Sequence, residues 1–406
     1  MAVEAGEPLR SSQRRVLEAI SWSPNSTRSE LSERLVMPKA TLAALVGSLI
    51  ELGLVAEGPG KPSSGANGPR RAGRPAKVLA LAGPSPVVGT VVFSGGVVCA
   101  AVVSYEGSVL GRAQAVLGAP DADFLAPGVD LLSTALYEAG PATEQLRAVV
   151  IGVPAPVAPA GLVRRPATDS GASERGLVPL VAGQGDHIRG VAGRLADELE
   201  RRLGVPSVVE NDANLGALGE ATFGAGRGVD SFVYLKLARG VGAGLVVAGR
   251  LHRGETGFAG ELGHVHVRDD GPLCACGGRG CLHGILGDAL VQAVQPAYEQ
   301  PLTFRDVLEL AAGGDAGPRR VLEDVGRTLG RPLADFATLF NPGAIIVDGS
   351  FAPAADHVVR GIREALDRYA APVAAQAVSV RAGALGDDAD VLGGAALARV
   401  GLAALR

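Results

Sequence analysis

No apolar stretch in this chain reaches about 18 residues free of charge, glycine and proline, which argues against a membrane-spanning helix. The opening MAVEAGEPLR is acidic and lacks the apolar centre of a secretion signal, so a cytoplasmic protein is expected. Cysteine is scarce: four residues in a reducing compartment are poor material for disulfides, and three of them cluster at Cys274, Cys276 and Cys281. Lysine is rarer still for a chain with 38 basic residues, occurring only at Lys39, Lys61, Lys77 and Lys236. That bias looks like the codon usage of a GC-rich genome, and no function follows from it. The 58 glycines and 26 prolines follow no fixed period, which excludes a collagen-like or low-complexity chain. What is present is ample apolar material, 47% of 406 residues. At roughly 100 to 200 residues per domain, that length implies two to four domains with real cores.

The net charge of -4 hides an asymmetry. Residues 1–80 carry 11 basic and 7 acidic side chains, a surplus of +4, so the remainder stands at -8. An anionic partner therefore belongs at the N-terminus. Val16, Leu17 and Ile20 recur at helical spacing within 13–21, and Ser26 or Thr27 then caps a second helix, with Glu30 placed for a capping box. A third helix of about 14 residues runs from Lys39 to Gly53 with Leu42, Leu45, Leu49 and Leu52 on one face. Two short apolar runs then flank a Gly/Pro/Ser loop, as in a wing hairpin. Five basic residues and no acidic one lie between Pro59 and Ala80. Cations that displace counterions from phosphates, beside a helix able to enter the major groove, make a winged helix-turn-helix and a double-stranded DNA operator the reading, with a homodimer or homotetramer as the binding form. Arg71 and Arg74 are expected at the backbone and minor groove, and Lys39 and Thr41 at base edges, with Ser48 on the same exposed face. The blander alternative is an interaction domain with a basic linker.

From Pro86 three β-rich runs suggest a meander. A helix near 129–140, a strand in LRAVVIGV, a helix at 187–203 and a strand at Val205–Val209 follow. Two strands around a Gly-rich turn, a helical stretch at 285–340, the strand AIIVDGS and a small-residue helix at 391–405 complete an α/β pattern. His264, Cys274, Cys276 and Cys281 supply one imidazole and three thiolates, a full tetrahedral set for zinc with no position left for water. A closed set of this kind is structural. His266 and His283 are rival ligands, the former expected to face away because it alternates with His264 along a strand.

ENDANLGALGE at 210–220, the Gly-rich run from Gly240 to Val267 and GPLCACGGRGCL at 271–282 resemble, in that order and spacing, the ROK family of bacterial sugar kinases and sugar-responsive repressors. GVPAPV at 152–157 and NPGAIIVDG at 341–349 extend the resemblance, and the N-terminal unit points to the repressor branch. The resemblance implies an actin-like (ribonuclease H-like) two-lobed sugar-kinase fold. The winged helix would span 1–82, the first lobe 83–208 plus 386–406, and the second lobe 209–385. It also implies that Asn211, Asp212, Glu261 and His264 line a sugar pocket, with one His264 nitrogen on zinc and the other on a hydroxyl. Asn211 and Asp212 also suit a simple helix cap.

Departures from the family pattern carry expectations of their own. His283 stands where a glutamate is usual, which makes it a candidate for ligand preference, and Ala155 adds a methyl where a glycine is usual. The phosphate run Asp-x-Gly-Gly-Thr aligns with Val91 to Gly95, leaving Val91 without charge and Phe93 in space meant for phosphate. Arg239 replaces a small residue, and Asp348 would repel a nucleotide phosphate if close. The expectation is a transcriptional repressor on a catalytically silent kinase scaffold, with Asp212 a vestigial base. An ATP-dependent sugar kinase with an appended DNA-binding domain is the rival, and a DNA-binding protein with a purely scaffolding body is the third reading.

Overall fold

The computed structural model describes residues 10–22, 26–59, 77–82, 85–94, 96–117, 124–157, 184–274 and 276–403. Its N-terminal unit consists of α1 (Ser11–Trp22), β1 (Ser26–Thr27), α2 (Arg28–Arg34), α3 (Lys39–Glu51), β2 (Val55–Gly58) and β3 (Val78–Leu81). Thr27 caps α2 as its spacing to Glu30 predicts: the threonine hydroxyl accepts from the Glu30 amide and the Glu30 carboxylate accepts from the Thr27 amide, at 3.3 and 2.7 Å. Between α2 and α3 the Ser32 hydroxyl donates to the Met37 carbonyl and closes the turn. The strands form a small antiparallel sheet in the order β1-β3-β2, with the wing hairpin made by β2 and β3. Val16, Ile20, Leu31, Leu42, Val46, Leu49, Val55 and Leu79 fill the core. Leu52, expected on the buried face of α3, is exposed instead. It lies beyond the last helical residue, as the C-cap, and Val46 takes the inward position.

The body holds two five-stranded sheets of one topology. The first uses β4 (Val87–Ser94), β5 (Val97–Ser104), β6 (Val109–Val116), β7 (Leu146–Val153) and β8 (Ser207–Asn211) in the order β6-β5-β4-β7-β8. The second uses β9 (Phe232–Leu237), β10 (Val241–Val247), β11 (Arg250–His252), β12 (Ala344–Gly349) and β13 (Ser379–Ala382) in the order β11-β10-β9-β12-β13. In each, the first three strands form an antiparallel meander and the last two add in parallel. Where the sequence implies two strands around Gly240 there are three, and β13 carries too few apolar residues to announce itself. The duplicated sheet is the actin-like arrangement.

Helices α4 (Leu125–Ala139) and α5 (Gln184–Leu203) cover the outer face of the first sheet. Helices α7 (Asp288–Val294), α8 (Phe304–Gly313), α9 (Ala316–Phe340), α10 (Ala355–Tyr369) and α11 (Pro372–Ala377) belong to the second lobe, where α7 to α10 build the core over the outer face of its sheet. Between the sheets lie α6 (Asp212–Phe223) and α12 (Ala389–Ala403). Leu215 and Leu218 of α6 pack on the first sheet with Val391 and Leu392 of α12, while Ala217 meets Phe232, Tyr234 and Ile346 of the second. No side chain fits between the two helices at their crossing: a Cβ on Gly393 would stand 1.8 Å from the Leu215 carbonyl oxygen, and one on Gly219 2.0 Å from that of Ala389. Among the described residues no helix is long and apolar enough to cross a membrane.

Gly393→Ala should therefore lower the unfolding free energy by about 1–3 kcal/mol through overpacking. Denaturant midpoints at unchanged slope measure this. An unchanged midpoint would show that the crossing tolerates a methyl group.

Candidate functional site

The site is assembled where β8 gives way to α6. Asn211 is the N-cap of α6, its side-chain oxygen accepting from the Asn214 amide at 2.9 Å. Its side-chain nitrogen donates to the Ala155 carbonyl at 3.3 Å. Capping is thus a role Asn211 actually performs. Asp212, one residue on, is buried: Oδ1 accepts from the Ala213 amide at 2.8 Å, and Oδ2 from Lys236 Nζ at 2.8 Å. The same Lys236, on β9, donates at 2.6 Å to Asp390 at the start of α12. Burial opposes the charge of Lys236, but the two carboxylates more than offset it, so the ammonium is held above the ordinary lysine range. Beneath this lies Glu210, fully buried and paired with Arg253 at 2.6 Å.

Glycines bring the remaining groups close. A Cβ on Gly244 would be 2.6 Å from that of Ala217, so β10 is bare where α6 rests on it. A Cβ on Gly260 would be 2.3 Å from the Ala243 carbonyl oxygen, and one on Gly263 2.2 Å from that of Val241. The segment carrying Glu261 and His264 is thereby laid directly on β10. Burial and the charge of Asp212 push the Glu261 carboxyl up to about 7, so near neutral pH it both donates and accepts hydrogen bonds. His264 lies with Nε2 3.7 Å from Glu261 and Nδ1 3.5 Å from the Cys274 sulfur. Burial, with His283 nearby, lowers its pKa and favours the neutral ring.

Donor atoms of His264, Cys274, Cys276 and Cys281 all fall within 4.8 Å of one another. The Cys276 and Cys281 sulfurs are 3.7 Å apart. A tetrahedral ion with metal–sulfur bonds of about 2.3 Å requires sulfur–sulfur edges of about 3.8 Å, so the four residues fit one metal ion. His266 takes no part and points to Asp269 at 3.4 Å. His283 also stays outside the set. Its ring lies parallel to His264 with centroids 6.1 Å apart and covers Gly240, where a Cβ would be 2.0 Å from the imidazole.

Several expected roles change in three dimensions. Ala155 is buried in the first-lobe core, so its methyl does not enter the pocket. Phe93 packs against Phe124 in that same core rather than filling the cleft, because alternation along β4 turns it inward with Val91. Asp348 is fully buried beside Glu220 and does not face an open nucleotide site. Arg239 is exposed. On α3, Lys39 and Thr41 are exposed, but Ser48 accepts from the side-chain amide of Gln13 on α1 and is turned away from that surface. Arg71 and Arg74 lie outside the described residues. Lys236, Asp390, Glu210 and Arg253 escape sequence reasoning; a lysine inside the apolar strand FVYLKL, in a chain with four, is the one signal that could have flagged them.

Residues 95–400 match the profile of the ROK family. The chain belongs to the ROK family. The xylose repressor of Bacillus subtilis (strain 168) is 32% identical over 200 residues, which is 49% of this chain and 52% of that protein. The chain thus spans about half the length of that relative. A xylose repressor from Caldicellulosiruptor bescii aligns over 93% of the chain and 92% of its own length at 24% identity. The glucokinase of Streptomyces coelicolor is 37% identical, covering 50% of this chain and 71% of that enzyme. Among solved structures, a ROK family transcriptional regulator described as a homolog of E. coli MLC superposes with a TM-score of 0.69 at 23% identity, covering 97% and 96% of the two chains. The ROK glucokinase of Streptomyces griseus, solved with glucose and AMPPNP, gives 0.61 at 29%, covering 77% and 99%.

The Asp348–Glu220 pair makes stability depend on pH. Burial and the neighbouring Glu220 push the Asp348 carboxyl up to about 8, far above its unfolded value, so the folded chain holds a proton that the unfolded chain releases. The stabilisation is complete below the unfolded value and is lost as pH rises through about 8. Asp348→Asn should leave stability near pH 5 about unchanged and flatten the decline toward pH 9, as measured by denaturant titration across that range.

Proposed function

We propose that this protein is a transcriptional repressor whose operator affinity is set by a sugar bound between the lobes. The observation that carries this reading is the presence in one ROK chain of an exposed winged-helix surface, with Lys39 and Thr41 at the start of α3, and a half-buried pair, Glu261 and His264, beside the buried Asp212. Carboxylates, a capped amide and a neutral imidazole match the paired donors and acceptors of sugar hydroxyls. A mere scaffold has no use for such a set. The working division is 1–82 for DNA binding, 83–208 plus 386–406 for the first lobe and 209–385 for the second. Arg71 and Arg74 are assigned to DNA backbone and minor-groove contacts, His283 to sugar preference, and the assembly to a cytoplasmic homodimer or homotetramer on a double-stranded operator.

His264, Cys274, Cys276 and Cys281 would hold structural zinc. A closed set of three thiolates and an imidazole leaves no open position, and the ion would supply a fixed ring orientation for His264 rather than chemistry. The chain's own residues then do the binding: His264 Nε2 and Glu261 meet one side of the ligand and Asp212 the other. Protein purified without added metal should contain one zinc per chain by elemental analysis. Cys276→Ser should lower thermal stability and sugar binding together.

Phosphoryl transfer finds little support. It needs a base free to accept a proton and a carboxylate for magnesium. Both Asp212 oxygens are engaged by Ala213 and Lys236, and Val91 puts an apolar side chain where the family's phosphate run begins with aspartate. The kinase reading keeps two observations in its favour, the retained Asp212 and the 37% identity to the glucokinase of Streptomyces coelicolor. With an operator selected from random DNA, xylose or glucose should change affinity by about 5- to 150-fold, the usual range of coupling between sites. Asp212→Asn should abolish that response and leave ligand-free DNA binding intact. Sugar-dependent ADP release from Mg-ATP, with operator binding unmoved by sugar, would establish the kinase instead.

A further inference from the structure

Lys236 stands apart from the pocket's other charges, because it belongs to two helices at once. Its ammonium donates to Asp212 at 2.8 Å and to Asp390 at 2.6 Å. The two carboxylates are used alike: Oδ1 of Asp212 accepts from the next amide of α6, Ala213, and Oδ1 of Asp390 from the next amide of α12, Val391, each at 2.8 Å. Each acid thus fastens the first turn of its own helix with one oxygen and lends the other to Lys236. All three side chains are buried, with 9 to 10% of their surface exposed, so solvent does not screen them. Helix α12 presses against α6 without intervening side chains at Gly219 and Gly393, and it also lies against α1 of the winged helix. The route from pocket to DNA-binding unit is short and made of rigid parts.

We infer that Lys236 is the positioning residue that couples sugar occupancy to the winged helix, by dividing its hydrogen bonds between Asp212 in the pocket and Asp390 at the head of α12. This rests on the sugar-repressor reading and says how that site is regulated. One positive charge between two carboxylates leaves the triad at -1. A sugar hydroxyl that donates to Asp212 Oδ2 competes with Lys236 for that oxygen and shifts the ammonium toward Asp390. The first turn of α12 then carries more of the lysine's charge, and its position against α6 and α1 changes. A ligand shifts such an equilibrium only through its differential affinity for the two arrangements. Lys236 is the group whose partners differ between them. Arginine would serve poorly here, since its planar fork favours two bonds to one carboxylate, whereas an ammonium spreads three donors over separate acceptors. A chain that otherwise prefers arginine keeps a lysine at this position.

Removing Lys236 itself would leave two like charges buried together and endanger folding. The informative change is Asp390→Asn. The amide oxygen still accepts from Val391 and keeps α12 capped, and the Asp212–Lys236 pair is untouched. A panel of free pentoses, hexoses and amino sugars would be titrated calorimetrically, and operator affinity measured with and without each. In Asp390→Asn, sugar affinity should stay within about threefold of wild type while the sugar effect on operator binding falls from the 5- to 150-fold range typical of coupled sites to about twofold or less. Asp390→Ser, too short to reach Lys236 but still able to cap α12, should behave alike and serves if the first variant is unstable. A variant that responds to sugar as strongly as wild type overturns the inference and leaves the repressor reading standing. Loss of sugar binding by more than about tenfold also overturns it, by placing Asp390 in the pocket rather than beyond it. If no sugar of the panel moves operator binding by the wild-type protein, the repressor reading itself falls.

Discussion

The nine residues from Asp212 to Glu220 are buried on every side, and the rest of the molecule is arranged around that fact. A helix enclosed between two sheets and a second helix must be narrow where they touch it, and α6 achieves this with Gly216 under the Tyr234 ring, Gly219 under Ala389, and Ala213 and Ala217 on β10. Its partners are narrow too, through Gly244 on β10 and Gly393 on α12. Interiors packed to crystal density transmit displacement rather than absorb it. The two lobes therefore share one close-packed wedge, and the first residues of that wedge are Asp212 and its capping neighbour Asn211.

Polar groups along the wedge are held by the same economy. Glu210 is neutralised by Arg253, Asp212 by Lys236, and Glu220 by three amides together with the protonated Asp348. Unpaired buried charges would cost several kcal/mol each, so every acid near α6 has a cation, a ring of amides or a proton of its own. Glu261 is the exception. Burial and Asp212 raise its pKa to about 7, and it lies partly exposed beside His264, able near neutral pH both to give and to take hydrogen bonds. The cysteine loop lies on the other side of this pair, with the Cys274 sulfur 3.5 Å from Nδ1 of His264.

How much of this could be read in advance depended on whether the cause was local. The Thr27–Glu30 capping box, the hairpin from Val55 to Leu81 and the four-ligand set at His264, Cys274, Cys276 and Cys281 were legible, because each is a fixed short spacing of residue types with one chemical use. Phe93, Ala155 and Asp348 were misplaced, because alternation along a strand says which residues share a face but not whether that face meets a cleft or a core. The glycines of Gly240, Gly242 and Gly244 look like a phosphate turn in sequence. In space they are the bare places where His283, Ala213 and Ala217 come to rest.

By itself the sequence determined the chain's classes of matter: an amphipathic N-terminal triad of helices with a basic surplus, an α/β body with no apolar run long enough for a membrane helix, and a sulfur-rich loop fit for a metal. Periodicity, capping and ligand spacing act within a few residues, so they survive without coordinates. Only the tertiary structure decided which charges meet. Lys236 and Asp390 are 154 residues apart and are joined by a 2.6 Å bond because two parallel additions to a sheet and a glycine-lined helix crossing happen to converge there. A buried charge is neutral information until its partner is known, and the partner is chosen by the fold.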